Sequence, residues 1–206
     1  MKLYLVTDES VPLNELITIV EEAIKGGVTA VQLREKKNSG KQFFDKAVRL
    51  KALTETYRVP LFINDRVDIA LAANADGVHV GQNDLPLSQV RKIIPSSMLV
   101  GISAGTVEEA IAAEQSGADY IGVGAVFPTQ SKGDAKLLPE GEFERIIQSV
   151  TIPVVAIGGI KLQNLPAIHH LDIAGVAVVS EIMKAKDPFQ AARLLRAGLD
   201  SKKVSS

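Results

Sequence analysis

Eight short runs rich in β-branched residues alternate with helix-spaced segments along this chain, and few folds tolerate that alternation. The runs fall at residues 3–7, 30–35, 61–65, 77–81, 98–103, 120–124, 153–158 and 175–180. Between them apolar residues recur at helical spacing, as Leu13, Leu16, Ile17, Val20 and Ile24 do before Gly26-Gly27 closes the segment. Helices are expected at 13–25, 39–57, 67–73, 86–94, 106–116, 140–150, 163–170 and 188–199. Ser39 reads as an N-cap, and Thr106 with Glu109 as a capping box. Near-continuous apolar strands such as Val154-Val155-Ala156-Ile157 suit a parallel sheet covered on both faces. Alternating βα units can build an open doubly wound sheet or a closed barrel. A count of eight in 206 residues, with no spare domain, favours a single-domain (β/α)8 TIM barrel over 1–199, followed by a polar tail at 200–206.

A weak repeat points the same way. Gly27-Val28-Thr29-Ala30-Val31, Asn74-Ala75-Asp76-Gly77-Val78, Gly117-Ala118-Asp119-Tyr120-Ile121 and Asp172-Ile173-Ala174-Gly175-Val176 each lead into an even-numbered run. Duplication of a quarter barrel would leave such a trace.

Composition excludes several functions. The absence of cysteine removes disulfides, zinc thiolate sites and thiol catalysis. A net charge of -1 and 4% aromatic residues without tryptophan argue against a nucleic-acid surface. An acid as early as Asp8 is unlike a signal peptide, and no apolar run approaches the ~20 residues of a membrane helix. A cytoplasmic protein is expected.

The second run carries the clearest chemical signal. Side chains alternate faces along a strand, so Gln32, Arg34 and Lys36 share one face and Val31, Leu33 and Glu35 the other. A cationic stripe is costly to bury without anions, so it is either a solvated sheet face or an anion-binding wall.

The site of a barrel lies at the C-terminal ends of its strands. Those ends supply Gln32, Arg34 and Lys36, then Asn64 and Asp65, Asp84, Ser103, the stretch Pro128 to Lys132, Gly158-Gly159, and Val179-Ser180. Nothing comparable gathers at the opposite ends. Asp65 and Asp84 are hard oxygen ligands, sparse enough for a Mg2+ that keeps waters and takes substrate phosphates. Arg34, Lys36 and Lys132 suit phosphate, whereas Lys37, Lys41 and Lys46 read as solvated. The glycine turn and the Val179-Ser180-Glu181 turn occupy the usual phosphate corner of a barrel. His79 lies in an apolar run and reads as a hydrogen-bonded core residue, and His169-His170 as a surface pair. There is no nucleophile elbow and no zinc helix.

Gln32-Leu33-Arg34-Glu35-Lys36, Asn64-Asp65-Arg66, Gly77-Val78-His79-Val80-Gly81-Gln82 with Asp84, Phe127-Pro128-Thr129, Ala156-Ile157-Gly158-Gly159-Ile160 and Val179-Ser180 together resemble the thiamine phosphate synthase family. The resemblance runs over nearly the whole chain. It implies condensation of 4-amino-2-methyl-5-hydroxymethylpyrimidine diphosphate with a thiazole phosphate, giving thiamine phosphate and pyrophosphate. It assigns Gln32, Arg34, Lys36, Asn64, Ser103 and Lys132 to the pyrimidine diphosphate, with Arg34, Lys36, Ser103 and Lys132 closest to the chemistry. Asp65 and Asp84 would bind Mg2+, and Thr129, Gln130, Ser131, Gly159, Val179 and Ser180 the thiazole phosphate. The residues 125–139 would form a lid carrying Lys132. The partners implied are two phosphorylated small molecules, with neither nucleic acid nor membrane, and a homo-oligomer is compatible with the pattern. In the related thiazole tautomerases, by resemblance, the aspartates are missing and a histidine follows strand five, where this chain has Gly105. Ser131 stands where synthases commonly show a second threonine, and residues 137–143 depart from their usual segment.

Overall fold

Along every strand the side chains alternate between two surroundings, and that alternation closes the sheet. The computed structural model describes residues 1–129 and 136–201. Its strands are β1 (Leu3–Val6), β2 (Ala30–Leu33), β3 (Leu61–Asn64), β4 (Gly77–Val80), β5 (Leu99–Ala104), β6 (Tyr120–Val123), β7 (Val154–Ile157) and β8 (Gly175–Val178). All are parallel, each pairs with the next in the chain, and β8 returns to β1. The helices are α1 (Leu13–Lys25), α2 (Gly40–Thr56), α3 (Val67–Ala72), α4 (Leu87–Ile93), α5 (Val107–Gln115), α6 (Glu142–Ser149), α7 (Ser180–Met183) and α8 (Pro188–Asp200), with a 3-10 helix at Leu162–Ile168 between β7 and β8. The fold is the expected TIM barrel.

Outward residues such as Leu5, Val31, Ile63, Val78 and Val100 join the apolar faces of the helices in the larger core. Inward residues form a second, smaller core of Tyr4, Val6, Ala30, Phe62, Tyr120, Val155 and Ala177. Large rings on some strands face glycines on others. A Cβ at Gly77 would lie 2.4 Å from the Phe62 ring, and one at Gly101 2.1 Å from the Tyr120 ring. Glycine weakens a strand interior through its extra chain entropy, so these two are explained by the space the rings occupy.

The four-part repeat has a physical meaning at the N-terminal end of the barrel. The backbone N–H groups of Thr29, Asp76, Asp119 and Ala174 donate to the carbonyls of Leu3, Leu61, Val100 and Val154 at 2.8 to 2.9 Å. Three of the four side chains reciprocate. Thr29 Oγ1 accepts from Leu3 N (3.1 Å), Asp76 Oδ2 from Leu61 N (2.8 Å) and Asp119 Oδ2 from Val100 N (2.6 Å). Three of the turns therefore satisfy the first free amide of the odd strand beside them.

Several boundaries differ from expectation for identifiable reasons. β2 stops at Leu33 because Arg34 N donates to Thr7 Oγ1 (3.0 Å) and Lys36 N to Glu9 Oε2 (2.6 Å), instead of continuing the sheet. Ser39 caps α2 with a full capping box through Gln42. Only half of the expected box forms at α5. Thr106 Oγ1 accepts from Glu109 N, but the Glu109 carboxylate takes Gly105 N (2.7 Å) rather than the cap residue's own amide. The segment after β7 is 3-10 rather than α-helical, with Pro166 inside it supplying no N–H. α7 was not expected, and α8 runs on through Asp200, which Lys2 and Arg196 hold at 2.7 and 2.9 Å. Among the described residues no helix is long and apolar enough to cross a membrane.

Candidate active site

The inward positions turn polar toward the C-terminal end of the barrel. Ala30, Phe62, Gly77 and Gly101 lie deep, while Gln32, Asn64, His79 and Ser103 follow two residues later on their strands. Gln32, Asn64 and His79 are buried, so each needs a partner. A file of hydrogen bonds joins Gln32 and His79 with three further side chains. Gln32 Nε2 donates to the Tyr4 hydroxyl (2.9 Å), which lies 3.0 Å from the Tyr120 hydroxyl. That hydroxyl is 2.9 Å from His79 Nδ1, and His79 Nε2 is 3.0 Å from Ser103 Oγ. Burial pushes both phenols well above their ordinary range, so they remain neutral. His79 is thus a hydrogen-bonded interior residue, as its apolar run suggested.

A charge cluster sits beside this file. Glu9, in the loop after β1, accepts the backbone amides of Lys36 (2.6 Å) and Lys37 (3.0 Å), and the first of these bonds chiefly holds its carboxyl below the usual range. Asp8 is lowered mainly by the Ser10 amide, and the Arg34 guanidinium contributes to both shifts. Arg34 therefore stands over an acidic loop with its backbone tied to Thr7. Lys36 Nζ makes an ion pair with Asp65. Asp65 occupies a left-handed backbone conformation (φ 62) in the tight turn after β3. Burial raises its carboxyl most, and the facing Asp84 carboxyl raises it further against the pull of Lys36. Asp84 in turn accepts from Gly81 N (2.7 Å).

On the other side lies a cleft of about 1650 Å3, whose wall includes Ser103, Thr129, Gly159, Val179 and Ser180. The glycine turn after β7 is built for close approach. Gly158 and Gly159 have φ of 93 and 65, and a Cβ on Gly159 would fall 2.5 Å from the Pro128 carbonyl oxygen. The turn is pinned by Asn164, whose Nδ2 donates to Gly159 O (2.8 Å). Val126 N and Phe127 N bond back to Ile157 O and Gly158 O (both 3.0 Å), which carries Thr129 to the cleft. Leu137 and Leu138 also line it, with Leu138 N on Ala125 O (2.9 Å), so part of the segment that departs from the synthase pattern forms its wall.

The sequence-derived residues therefore divide into two adjoining groups. Arg34, Lys36, Asp65 and Asp84 form the charge cluster with Gln32 and Asn64 below it, and Ser103, Thr129, Gly159, Val179 and Ser180 line the cleft. Ser103 joins them, through His79 and through Gln82 Nε2, which donates to its carbonyl (2.7 Å). Gln130, Ser131 and Lys132 lie outside the described residues. Thr7, Asp8 and Glu9 were missed, although the rule that reads strand ends applies equally to the first strand. Lys46 is not solvated: it pairs at 2.8 Å with Glu35, whose side chain is fully buried.

A divalent cation fits this chemistry. Two carboxylates are held face to face, one of them raised by burial and then by the other carboxyl, and the Lys36 ammonium already supplies part of the missing positive charge. Among the described residues no cluster of three potential ligands forms, so most of the coordination sphere would be water and phosphate oxygen, the habit of Mg2+.

Comparison with known proteins places these features in context. A family model described as thiamine monophosphate synthase matches residues 3–182. The thiamine-phosphate synthase of Methanobrevibacter smithii is 50% identical over 188 residues, covering 91% of this chain and 90% of that protein. That of Ruminiclostridium cellulolyticum is 52% identical over 186 residues, covering 90% and 89%. The solved thiamine phosphate pyrophosphorylase of Pyrococcus furiosus superposes with a TM-score of 0.90 at 39% identity, covering 98% of this chain and 96% of that one. A 3-hexulose-6-phosphate synthase at 18% identity and TM-score 0.72 shares the fold.

Proposed function

Because the chain belongs to the thiamine monophosphate synthase family and is a transferase of thiamine biosynthesis, we propose a division of labour among its residues. The reaction joins the methylene carbon of 4-amino-2-methyl-5-hydroxymethylpyrimidine diphosphate to the nitrogen of 4-methyl-5-(2-phosphoethyl)thiazole and releases pyrophosphate. Gln32, Arg34, Lys36, Asn64 and Ser103 hold the pyrimidine diphosphate, together with Lys132. Thr129, Gly159, Val179 and Ser180, with Gln130 and Ser131, hold the thiazole phosphate.

The leaving diphosphate is the group that needs help, since a pyrimidine ring can stabilise the positive methylene left behind. Arg34 grips its oxygens bidentately, and Lys36, released from Asp65, follows the developing charge. Mg2+ held by Asp65 and Asp84 would neutralise the diphosphate as it departs. The backbone amides of the Gly158-Gly159 and Val179-Ser180 turns, brought together at one corner of the cleft, hold the second phosphate so that the thiazole nitrogen faces the methylene carbon. No protein nucleophile is needed, in keeping with a chain without cysteine or a triad.

The observation that carries this reading is the charge cluster: a lysine paired with one of two opposed aspartates, with Arg34 over the acidic loop after β1, next to a cleft of about 1650 Å3 that Asn83, the neighbour of Asp84, helps to line. Gly105 supports it against a tautomerase. A Cβ there would meet nothing nearer than Glu109 Oε2 at 3.6 Å, so packing did not demand glycine, and no histidine stands at that position. Purified protein supplied with both substrates and Mg2+ is expected to form thiamine phosphate, to stop on addition of EDTA and to resume with excess Mg2+. Turnover indifferent to chelator would overturn the metal assignment, and no turnover in any condition would overturn the synthase reading.

A further inference from the structure

Five polar side chains from five strands cross the barrel in one continuous file: Gln32 on β2, Tyr4 on β1, Tyr120 on β6, His79 on β4 and Ser103 on β5. The reaction as read above uses the two ends and leaves the three rings in the middle without a task. Their polarity is costly where they sit. Tyr4 and Tyr120 are at most 2% exposed amid apolar neighbours, and phenylalanine would fill the same space without a hydroxyl to satisfy. Gly101 and Gly122 keep the room these rings occupy, since a Cβ at Gly122 would lie 3.2 Å from the His79 ring.

The file has a direction. A carboxamide nitrogen only donates, so Gln32 Nε2 gives its proton to Tyr4. Among the described residues the Tyr120 oxygen is the only acceptor left for the Tyr4 proton, so satisfying these buried hydroxyls requires Tyr4 to donate to Tyr120 and Tyr120 to donate to His79 Nδ1. A neutral imidazole has one donor and one acceptor nitrogen. With Nδ1 accepting, the proton sits on Nε2 and is directed at Ser103 Oγ. The serine hydroxyl then has its own proton to give away, and among the described residues its oxygen makes no hydrogen bond other than that to His79.

We propose that this file is a positioning device: it locks His79 in the Nε2–H tautomer and thereby makes Ser103 a hydrogen-bond donor aimed into the mouth, toward an acceptor atom of the pyrimidine diphosphate. Tyr4, Tyr120 and His79 are positioning residues that act through Ser103. The file also crosses from the charge cluster to the thiazole cleft, so it holds Gln32 and Ser103 in register across the substrate. The inference rests on the reading of Ser103 as a pyrimidine-diphosphate contact.

The test uses the full chain labelled with 15N-histidine. Only three histidines are present, and His79 is the one in the barrel interior. Long-range 1H–15N correlations are expected to show His79 as the neutral Nε2–H form, with Nδ1 unprotonated. The opposite tautomer or an imidazolium would overturn the direction of the file, whatever the enzyme's activity. Tyr120→Phe is expected to release the tautomer into a mixture and to lower kcat about tenfold, with little change in KM for the pyrimidine diphosphate. In the double variant Tyr120→Phe, Ser103→Ala the loss should be no greater than in Ser103→Ala alone. Additive losses, or a tautomer unmoved by Tyr120→Phe, would make the rings merely structural. A variant that did not fold would leave the tautomer of the unmodified protein as the deciding measurement. Failure of the unmodified enzyme to make thiamine phosphate would count against the functional reading and not against the direction of the file.

Discussion

Asp65 is where the demands of fold and chemistry meet in a single residue. A left-handed backbone is tolerated by aspartate better than by most residues, but it still stores strain, and such strain gathers at functional sites. Its carboxyl is raised by burial first and by the facing Asp84, against the pull of Lys36, so the two carboxylates oppose each other's charge. Neutralising the neighbour should relieve that tension while keeping an acceptor for Gly81 N. Asp84→Asn in metal-free buffer at pH 7 is expected to show a Tm unchanged or raised by about 1–3 °C, as a small relief would in a chain of this size. Its Mg2+-dependent turnover should fall by about a hundredfold. Differential scanning calorimetry checks the first and a rate assay the second; a Tm several degrees lower would make Asp84 a structural residue. The asparagine-aspartate pair at the end of an apolar run is visible in the sequence, but its pairing with Lys36 is not. Lys46 makes the same point in reverse. In the sequence it is indistinguishable from Lys37 and Lys41, and only the crossing of α2 over the end of β2 puts it on buried Glu35.

At the scale of elements the barrel keeps its stability and its chemistry at opposite ends. The turns before β2, β4 and β6 use Thr29, Asp76 and Asp119 to satisfy the amides of Leu3, Leu61 and Val100 at the start of β1, β3 and β5, and Asp119 also holds Arg91 at 2.5 Å. Asp119→Ala leaves the Val100 amide and the guanidinium short of a partner. It is expected to cost about 1–3 kcal/mol, read as a lower urea midpoint, with kcat unchanged because no substrate reaches that end. A loss of turnover without loss of stability would contradict this separation. The recurrence of these turns is legible as a repeat, and its purpose appears only when the neighbouring strand is in place. The early end of β2 has the same origin: side chains of the first loop capture its amides, and nothing in residues 30–36 by themselves announces that competition.

For the whole molecule, the charges are arranged to favour neutral pH. Asp8, Glu9, Glu114 and Asp200 are all held below the ordinary carboxylate range, chiefly by the Ser10 amide, the Lys36 amide, Thr151 and Lys2 respectively. A carboxyl lowered by folding stabilises the native state above its unfolded pKa, and that contribution is lost as pH falls through the folded value. Asp65 has the opposite sign and gains on protonation, but among the described residues it stands against seven lowered carboxyls, Glu21, Asp68 and Glu108 included. The Tm is therefore expected to be nearly flat from about pH 6 to 8 and to fall below about pH 4. Glu114→Gln should flatten the acid limb of that curve, since the bonds it makes to Thr151 would no longer depend on ionisation. A Tm rising steadily toward pH 3 would refute the assignment of these shifts.

The sequence by itself determined the period of alternation, the number of βα units and the identity of the polar residues at the strand ends. These are local properties, fixed by side-chain spacing and by the turn chemistry between runs. Tertiary structure decided which of those residues face each other: that Asp84 opposes Asp65, that Glu9 organises Lys36, and that three buried rings join Gln32 to Ser103. Closing a parallel sheet brings together positions scores of residues apart, and the burial, pairing and direction of a hydrogen bond exist only once that closure has removed the water between them.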